Sequence, residues 1–122
     1  MKSKNLSDMS SSELLSAYEK IVVEQDESFK NSRIGMFNKQ FWRREAICRE
    51  LQSRPGDQRE MLAALFKHPK AWVRICVATD TFVLNEARAR MHMQYIADHA
   101  WSPYRGEARS ALWAWSAGHR PT

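Results

Sequence analysis

From Leu14 onward the apolar residues return every three or four positions in segment after segment, a spacing that restricts the chain to packed α-helices. The first segment opens where Ser10 stands three residues before Glu13, the spacing of a reciprocal helix cap. Leu15, Tyr18, Val22 and Phe29 follow on one face, flanked by Leu14 and Ile21. After the short turn "KNSR", residues 34 to 53 repeat the pattern with Ile34, Phe37, Phe41, Cys48 and Leu51, and Ile47 lies beside that stripe. Two apolar stripes joined by a short turn make a helical hairpin.

Arg44 interrupts the second stripe. Its stem can lie along the apolar seam with the head in water, it can pair with first-helix acids near Glu19, or it can meet a ligand. Charge favours the hairpin itself. Residues 1 to 29 carry three basic and six acidic side chains, and residues 30 to 54 carry seven and two, so the two helices attract each other.

Pro55 and Gly56 end the hairpin, and Asp57 with Glu60 repeats the capping spacing to open a third helix that closes near Lys67. Pro69 suits the first position of a fourth helix over residues 69 to 83, with His68 capping or preceding it. Val73, Cys76 and Val77 on one side and Ile75, Ala78 and Phe82 on the other make this helix apolar almost all round, which predicts the central element. A fifth helix follows an Asn85 cap and runs to His99, with Ala89, Met93 and Ile96 inward. Ser102 is the expected cap of a sixth, with Pro103 first, Gly118 as its stop, and Tyr104, Ala108, Ala111, Leu112 and Trp115 along one stripe.

The chain therefore reads as all-α, with about six helices. Leu62, Leu65 and His68 return 31 positions later as Met93, Ile96 and His99, a period of one helix pair per unit that belongs to helical solenoids. The polar, serine-rich residues 1 to 12 are set aside as a flexible segment. Residues 13 to 122 are long enough for one domain, made of a hairpin over 13 to 54 and two helix pairs over 57 to 118.

The stretch "LFKHPKAWVRICVA" resembles the turn and second helix of a HEAT repeat, whose leucine, turn, Val-Arg and small-residue roles fall to Leu65, His68, Pro69, Val73, Arg74 and Ala78. More broadly, "NKQFWRREAICRELQSRPGD", "HPKAWVR" and "LWAWSAGHRPT" resemble a family of small bacterial proteins of unknown function with an armadillo/HEAT-like fold. The resemblance implies a short right-handed α-α superhelix and brings no activity, cofactor or catalytic residue. His68 stands where an aspartate is common, and Trp72 is bulky for that turn. In HEAT proteins the arginine in the place of Arg74 ties adjacent repeats by bonding acids and carbonyls, which makes Asp57 and Asp98 candidate partners.

Reaction chemistry finds little support. Met91, His92 and Met93 point about 100° apart on a helix, and His92 and His99 lie about 10 Å apart along its axis, so "RMHMQYIADH" does not gather a metal. Cys48 and Cys76, 28 positions apart without a CxxC, read as reduced core thiols. No Gly-rich phosphate loop, nucleophile elbow or HExxH is present. Asp80 with Trp72 and Arg74 invites comparison with HEAT-like DNA glycosylases, which are about twice this length, so a DNA-modifying enzyme is a distant third reading. No window approaches the roughly 18 apolar residues of a membrane span, and the start lacks a secretory apolar core, so a soluble cytoplasmic protein is expected.

What remains is recognition. The net charge of +5 and five tryptophans point to a basic, aromatic surface. Trp113 projects away from the buried stripe of the last helix, where either the tail "HRPT", a neighbouring helix, a partner or a second copy must cover it. The leading expectation is a non-enzymatic protein-binding module, a monomer or weak homodimer, whose Lys70, Trp72, Arg74, Arg105, Arg109 and Trp113 meet an acidic protein, such as a toxin that it neutralises. The alternative is nucleic-acid binding on the same basic surface, with Trp72 as a stacking platform. No cofactor, metal or catalytic residue is expected.

Overall fold

The computed structural model of the chain describes residues 5–122, and among them every regular element is helical, with no strand. Five α-helices, α1 (Ser11–Lys30), α2 (Ile34–Ser53), α3 (Ala71–Asp80), α4 (Glu86–His99) and α5 (Tyr104–Ser116), are accompanied by a ten-residue 3-10 segment, Gln58–Lys67. Two shorter 3-10 turns, Leu6–Asp8 and Phe82–Leu84, complete the set. The chain divides into two compact units between Met61 and Leu62.

In the first unit, the Ser10 cap forms as its spacing predicts: Glu13 N–H donates to Ser10 Oγ at 3.1 Å, and Ser10 N–H donates to Glu13 Oε1 at 3.0 Å. The buried face of α1 runs through Leu14, Tyr18 and Val22, while Leu15, expected on the stripe, is only half-buried. The register follows Gln25, which lies on the same face as Leu14 and meets α2: its Nε2 donates to the Phe37 carbonyl at 3.4 Å, and its Oε1 accepts from Arg44 Nη1 at 3.0 Å. The Arg44 side chain is almost wholly buried. It is 7% exposed, and its guanidinium lies 5.3 Å from the Phe41 ring centroid.

The turn between α1 and α2 closes through a Schellman pattern, in which Arg33 N–H donates to Ser28 O at 2.8 Å and Ser32 N–H to Phe29 O at 3.3 Å. Ser32 takes the left-handed conformation there, with φ 55°. Ile34 begins α2 too close to this turn to be covered and is 72% exposed, against its expected place on the apolar stripe.

Of the segment expected to be flexible, residues 1 to 4 lie outside the described residues, and residues 5 to 12 contain the Leu6–Asp8 turn and the start of α1. Arg54, just past α2, holds them. Its Nη2 donates to the carbonyls of Leu6 (3.1 Å) and Met9 (2.6 Å), Nη1 donates to Ser11 Oγ (3.0 Å), and Nε donates to Glu50 Oε2 (3.1 Å). A second side-chain bond joins Ser11 to Gln58.

Asp57 precedes the 3-10 segment and accepts the Arg59 N–H at Oδ1 (3.3 Å), while its two oxygens also take Arg59 Nε (2.9 Å) and Nη2 (2.7 Å). This guanidinium holds the Asp57 carboxyl below its ordinary value of 3.8, chiefly through the side-chain hydrogen bond. The expected third α-helix is thus a tighter 3-10 helix, entered through a left-handed Asp57 at φ 50°.

In the second unit, α3 is buried on nearly every side, through Val73, Ile75, Cys76, Val77 and Ala78. It is shorter than expected at both ends. His68 Nδ1 accepts the Lys70 N–H at 3.0 Å, so Pro69 precedes the helix and Ala71 begins it. At the far end Thr79 and Thr81 return their hydroxyls to the carbonyls of Ile75 (3.0 Å) and Val77 (2.7 Å), and the chain leaves α3 for the Phe82–Leu84 turn.

Asn85 caps α4 as expected, its side chain accepting the Arg88 N–H at 3.0 Å. Helix α4 packs against both α3 and α5 through Ala89, Met93, Ile96 and Ala97, so it, and not α3, holds the middle position within this unit. No side chain caps α5; the expected Ser102 cap is absent, and Pro103 stands in the flanking position instead. Ala108 and Trp115 anchor α5, and Trp115 reaches Phe82 at a ring separation of 4.7 Å.

Candidate functional site

Helix α5 ends in a second Schellman pattern: His119 N–H donates to Ala114 O at 2.9 Å and Gly118 N–H to Trp115 O at 3.2 Å, with Gly118 at φ 98°. The turn sends the tail back toward the start of α4, where Arg120 Nη1 lies 3.4 Å from Glu86 Oε1. The tail therefore does not cover Trp113, which remains 72% exposed.

Arg105, Arg109 and Trp113 recur at i, i+4 and i+8 on α5, a ridge about 12 Å long that starts beside the buried Ala108 and Trp115 stripe and turns away from it toward Trp113. All three are exposed. Gly106 and Ser110 lie beside them, and a methyl group built on Gly106 would meet no atom within 4 Å. The ridge thus stands over a low floor on which another backbone can approach. Arg105 is partly engaged, its Nε donating to the Ala100 carbonyl at 3.0 Å, and this brings it beside the loop that carries Trp101. Trp101, 85% exposed, is a feature that sequence periodicity does not single out, because it belongs to no helical stripe.

The other expected recognition residues gather at the start of α3. Lys70 and Arg74 are half-buried, and Trp72 is 8% exposed, which corrects its expected place on the surface: at the second position of a helix buried all round, its ring joins the interior. Arg74 does not make the expected tie through its Nε, which is buried and forms no hydrogen bond. The acids considered for it serve elsewhere, Asp57 with Arg59 and Asp98 with Gln94 Nε2 at 2.9 Å.

Near Arg74 lies a cluster that the sequence does not announce. His92 of α4 stacks on Phe66, with ring centroids 3.8 Å apart and planes 7° from parallel, and the Arg88 guanidinium lies 5.7 Å from the same Phe66 ring. Burial is the first cause holding the His92 imidazole below its ordinary value of 6.5, followed by the charges of Arg88 and Arg74. In the first unit a shallow open cleft of about 360 Å³ lies between Leu6 and the α2 residues Trp42, Ala46 and Arg49. Trp42 stands at its edge, largely exposed.

Among the described residues no group of three or more His, Cys, Asp or Glu side chains is placed to hold a metal, and both cysteines are buried and outside any disulfide. No helix there is long and apolar enough to cross a membrane.

Comparison with known proteins bears on the whole chain. A domain of unknown function, DUF2019, matches residues 12–115. The crystal structure of the protein RPA1889 from Rhodopseudomonas palustris CGA009 is similar to this chain at 31% identity and a TM-score of 0.90, covering 98% of this chain and 99% of that one. No curated protein matches.

Proposed function

Starting from the chain's membership of the DUF2019 family, a domain of unknown function, we propose that it is a non-enzymatic protein-binding module that takes an acidic segment of a partner on α5. The observation that carries this reading is Trp113, 72% exposed on the same helix face as Arg109 and Arg105, over the open floor at Gly106. Tryptophan and arginine are enriched among the residues that carry most of the binding energy where interfaces form, because both offer large flat contact area. Charge directs the choice of partner: residues 62 to 122 carry eight Lys and Arg against four Asp and Glu, so most of the net positive charge belongs to the unit that holds this ridge. The HEAT-like turn at Phe66 to Arg74 supports taking these helices as a short repeat stack, an architecture used for binding other proteins.

Nucleic acid fits less well. Two arginines neutralise at most about two phosphates, one of them is already shared with a carbonyl, and Trp72 is not available for stacking. The test is capture from native lysate with the wild type, Trp113→Ala and Arg109→Glu, followed by cross-linking from α5 to the captured protein. An acidic protein retained by the wild type, lost with both variants and cross-linked to α5 supports the reading. Equal capture by all three sinks it. So does binding of a labelled oligonucleotide at 50 mM salt that both variants abolish.

A further inference from the structure

On the reading of α5 as the recognition surface, we propose that the segment it takes is itself a helix, with two carboxylates one turn apart between two apolar side chains, and that Trp101 forms the second end of the contact. The pattern comes from the spacing. Arg105, Arg109 and Trp113 form one i, i+4 row of α5, and Arg105 N–H donates to the Trp101 carbonyl at 3.2 Å, which sets the Trp101 backbone one turn ahead of the row. Two exposed tryptophans, at 85% and 72%, thus bracket two arginines. The neighbouring row, Gly106, Ser110 and Ala114, is small throughout, so a groove runs alongside.

A row of i, i+4 side chains is what a second helix packs against, its own i, i+4 row entering the groove beside it. An extended segment gains less, because α5 bonds its own backbone and offers no edge to pair with the amides of a strand. Charge then selects the residues that face the arginines. Arg105 spends only Nε on the Ala100 carbonyl, and among the described residues Arg109 makes no ion pair. Glu107, the acid of α5, stands two positions from Arg109 and so points about 160° away around the helix. Carboxylates at i and i+4 of a partner helix repeat about every 6 Å, as the two arginines do, and each can take a forked pair of N–H groups. An apolar side chain at either end then covers an indole. The same charges disfavour a second copy of this chain. A two-fold contact on this face sets the arginines of one copy against those of the other, and residues 62 to 122 carry eight basic against four acidic side chains.

Indole N–H NMR of the full chain tests this with a peptide of about 16 residues, long enough to hold a helix, that carries Leu, Glu, Glu and Leu at four-residue spacing on an alanine and glutamine background. That order reads the same in both directions, as does Trp101, Arg105, Arg109, Trp113. Saturable movement of the Trp101 and Trp113 signals, identified with Trp101→Phe and Trp113→Phe, is the expected result, while Trp42 on α2 stays unmoved. Trp101→Ala and Trp113→Ala should each weaken binding about tenfold, and Arg49→Gln in the first unit should leave it unchanged. A peptide with lysine at both Glu positions should not bind, and one broken by a central proline should bind at least about tenfold more weakly. No saturable movement with the unbroken acidic peptide overturns the proposal, as does equal movement of Trp42. Movement of Trp113 without Trp101 overturns the two-ended contact. Movement of both signals on concentrating the chain without peptide assigns the face to a second copy and overturns the partner helix. Equal binding of the proline peptide overturns the helix but leaves an acidic segment on α5 standing, whereas lysate capture indifferent to Trp113 and Arg109 removes that underlying reading itself.

Discussion

Replacing Arg54 with alanine should free the N-terminal segment from the first unit while leaving the α1–α2 hairpin formed. Arg54 makes three hydrogen bonds to residues 6, 9 and 11, two of them to backbone carbonyls, and a fourth bond to Glu50. The side chain is mostly buried, so these bonds are only partly exchanged for water when the arginine is present. At about 1 kcal/mol net for each bond to the segment, with some recovery as water reaches the released carbonyls, Arg54→Ala should cost about 2–3 kcal/mol. For a chain of this length that is a fall in Tm of roughly 6–12 °C. Calorimetry gives the Tm, and hydrogen exchange at the amides of Asp8 and Met9, which bond to Asn5 and Leu6, reports the turn itself. Arg54→Lys should recover only part of the loss, because an ammonium cannot span the same carbonyls from one planar group. Arg49→Ala is the control: it removes a largely exposed ion pair to Glu45 and should change stability by less than about 0.5 kcal/mol. If Arg54→Ala lowers stability no more than that control and exchange at Asp8 and Met9 is unchanged, the clamp does not exist.

Other substitutions probe single positions. Ser32→Gly should stabilise the chain by about 0.5–1 kcal/mol, because glycine occupies the left-handed turn after α1 without the Cβ cost; a thermal melt showing no gain would contradict it. Gly106→Ala should raise stability by about 0.8 kcal/mol in chemical denaturation, since the added methyl meets open space in an exposed helix; a loss would mean that the face is already covered. For pH, the folded state holds a proton on His92 less readily than the unfolded chain, so stability should decline as pH falls through 6.5 toward the lowered folded value. His92→Gln should flatten that part of the urea-midpoint profile between pH 7.5 and 5.5, and an unchanged slope would assign it to other groups.

How far the fold could be read depended on whether the deciding contact was local. The Ser10 and Asn85 caps are three-residue patterns, and both form where the spacing put them. The choice of Leu14 over Leu15 was decided across the hairpin by Gln25 and its bonds to α2, which periodicity on one helix cannot weigh. The early end of α3 turned on two threonine hydroxyls that return to the helix carbonyls, a competition visible only once the turn is built. Of the recognition residues, Trp113 was legible because its angle on α5 set it opposite the buried stripe. Trp72 was not, because the turn that preceded it gave no sign of how fully α3 is enclosed. The Phe66–His92 stack joins residues 26 positions apart in sequence and has no local signature at all.

Arg44 and Gln25 have a consequence for which hairpin forms. The Arg44 Nη1 donor is buried with its Gln25 acceptor, so sliding α1 by one turn, which would set Ile21 or Phe29 in the place of Gln25, forfeits that bond even though both alternatives are apolar and would pack. Gln25→Leu alone should cost about 1–3 kcal/mol in chemical denaturation, because the buried Arg44 Nη1 loses this 3.0 Å acceptor. The polar pair would then act as a key, selecting one alignment of two helices whose apolar stripes alone would accept several.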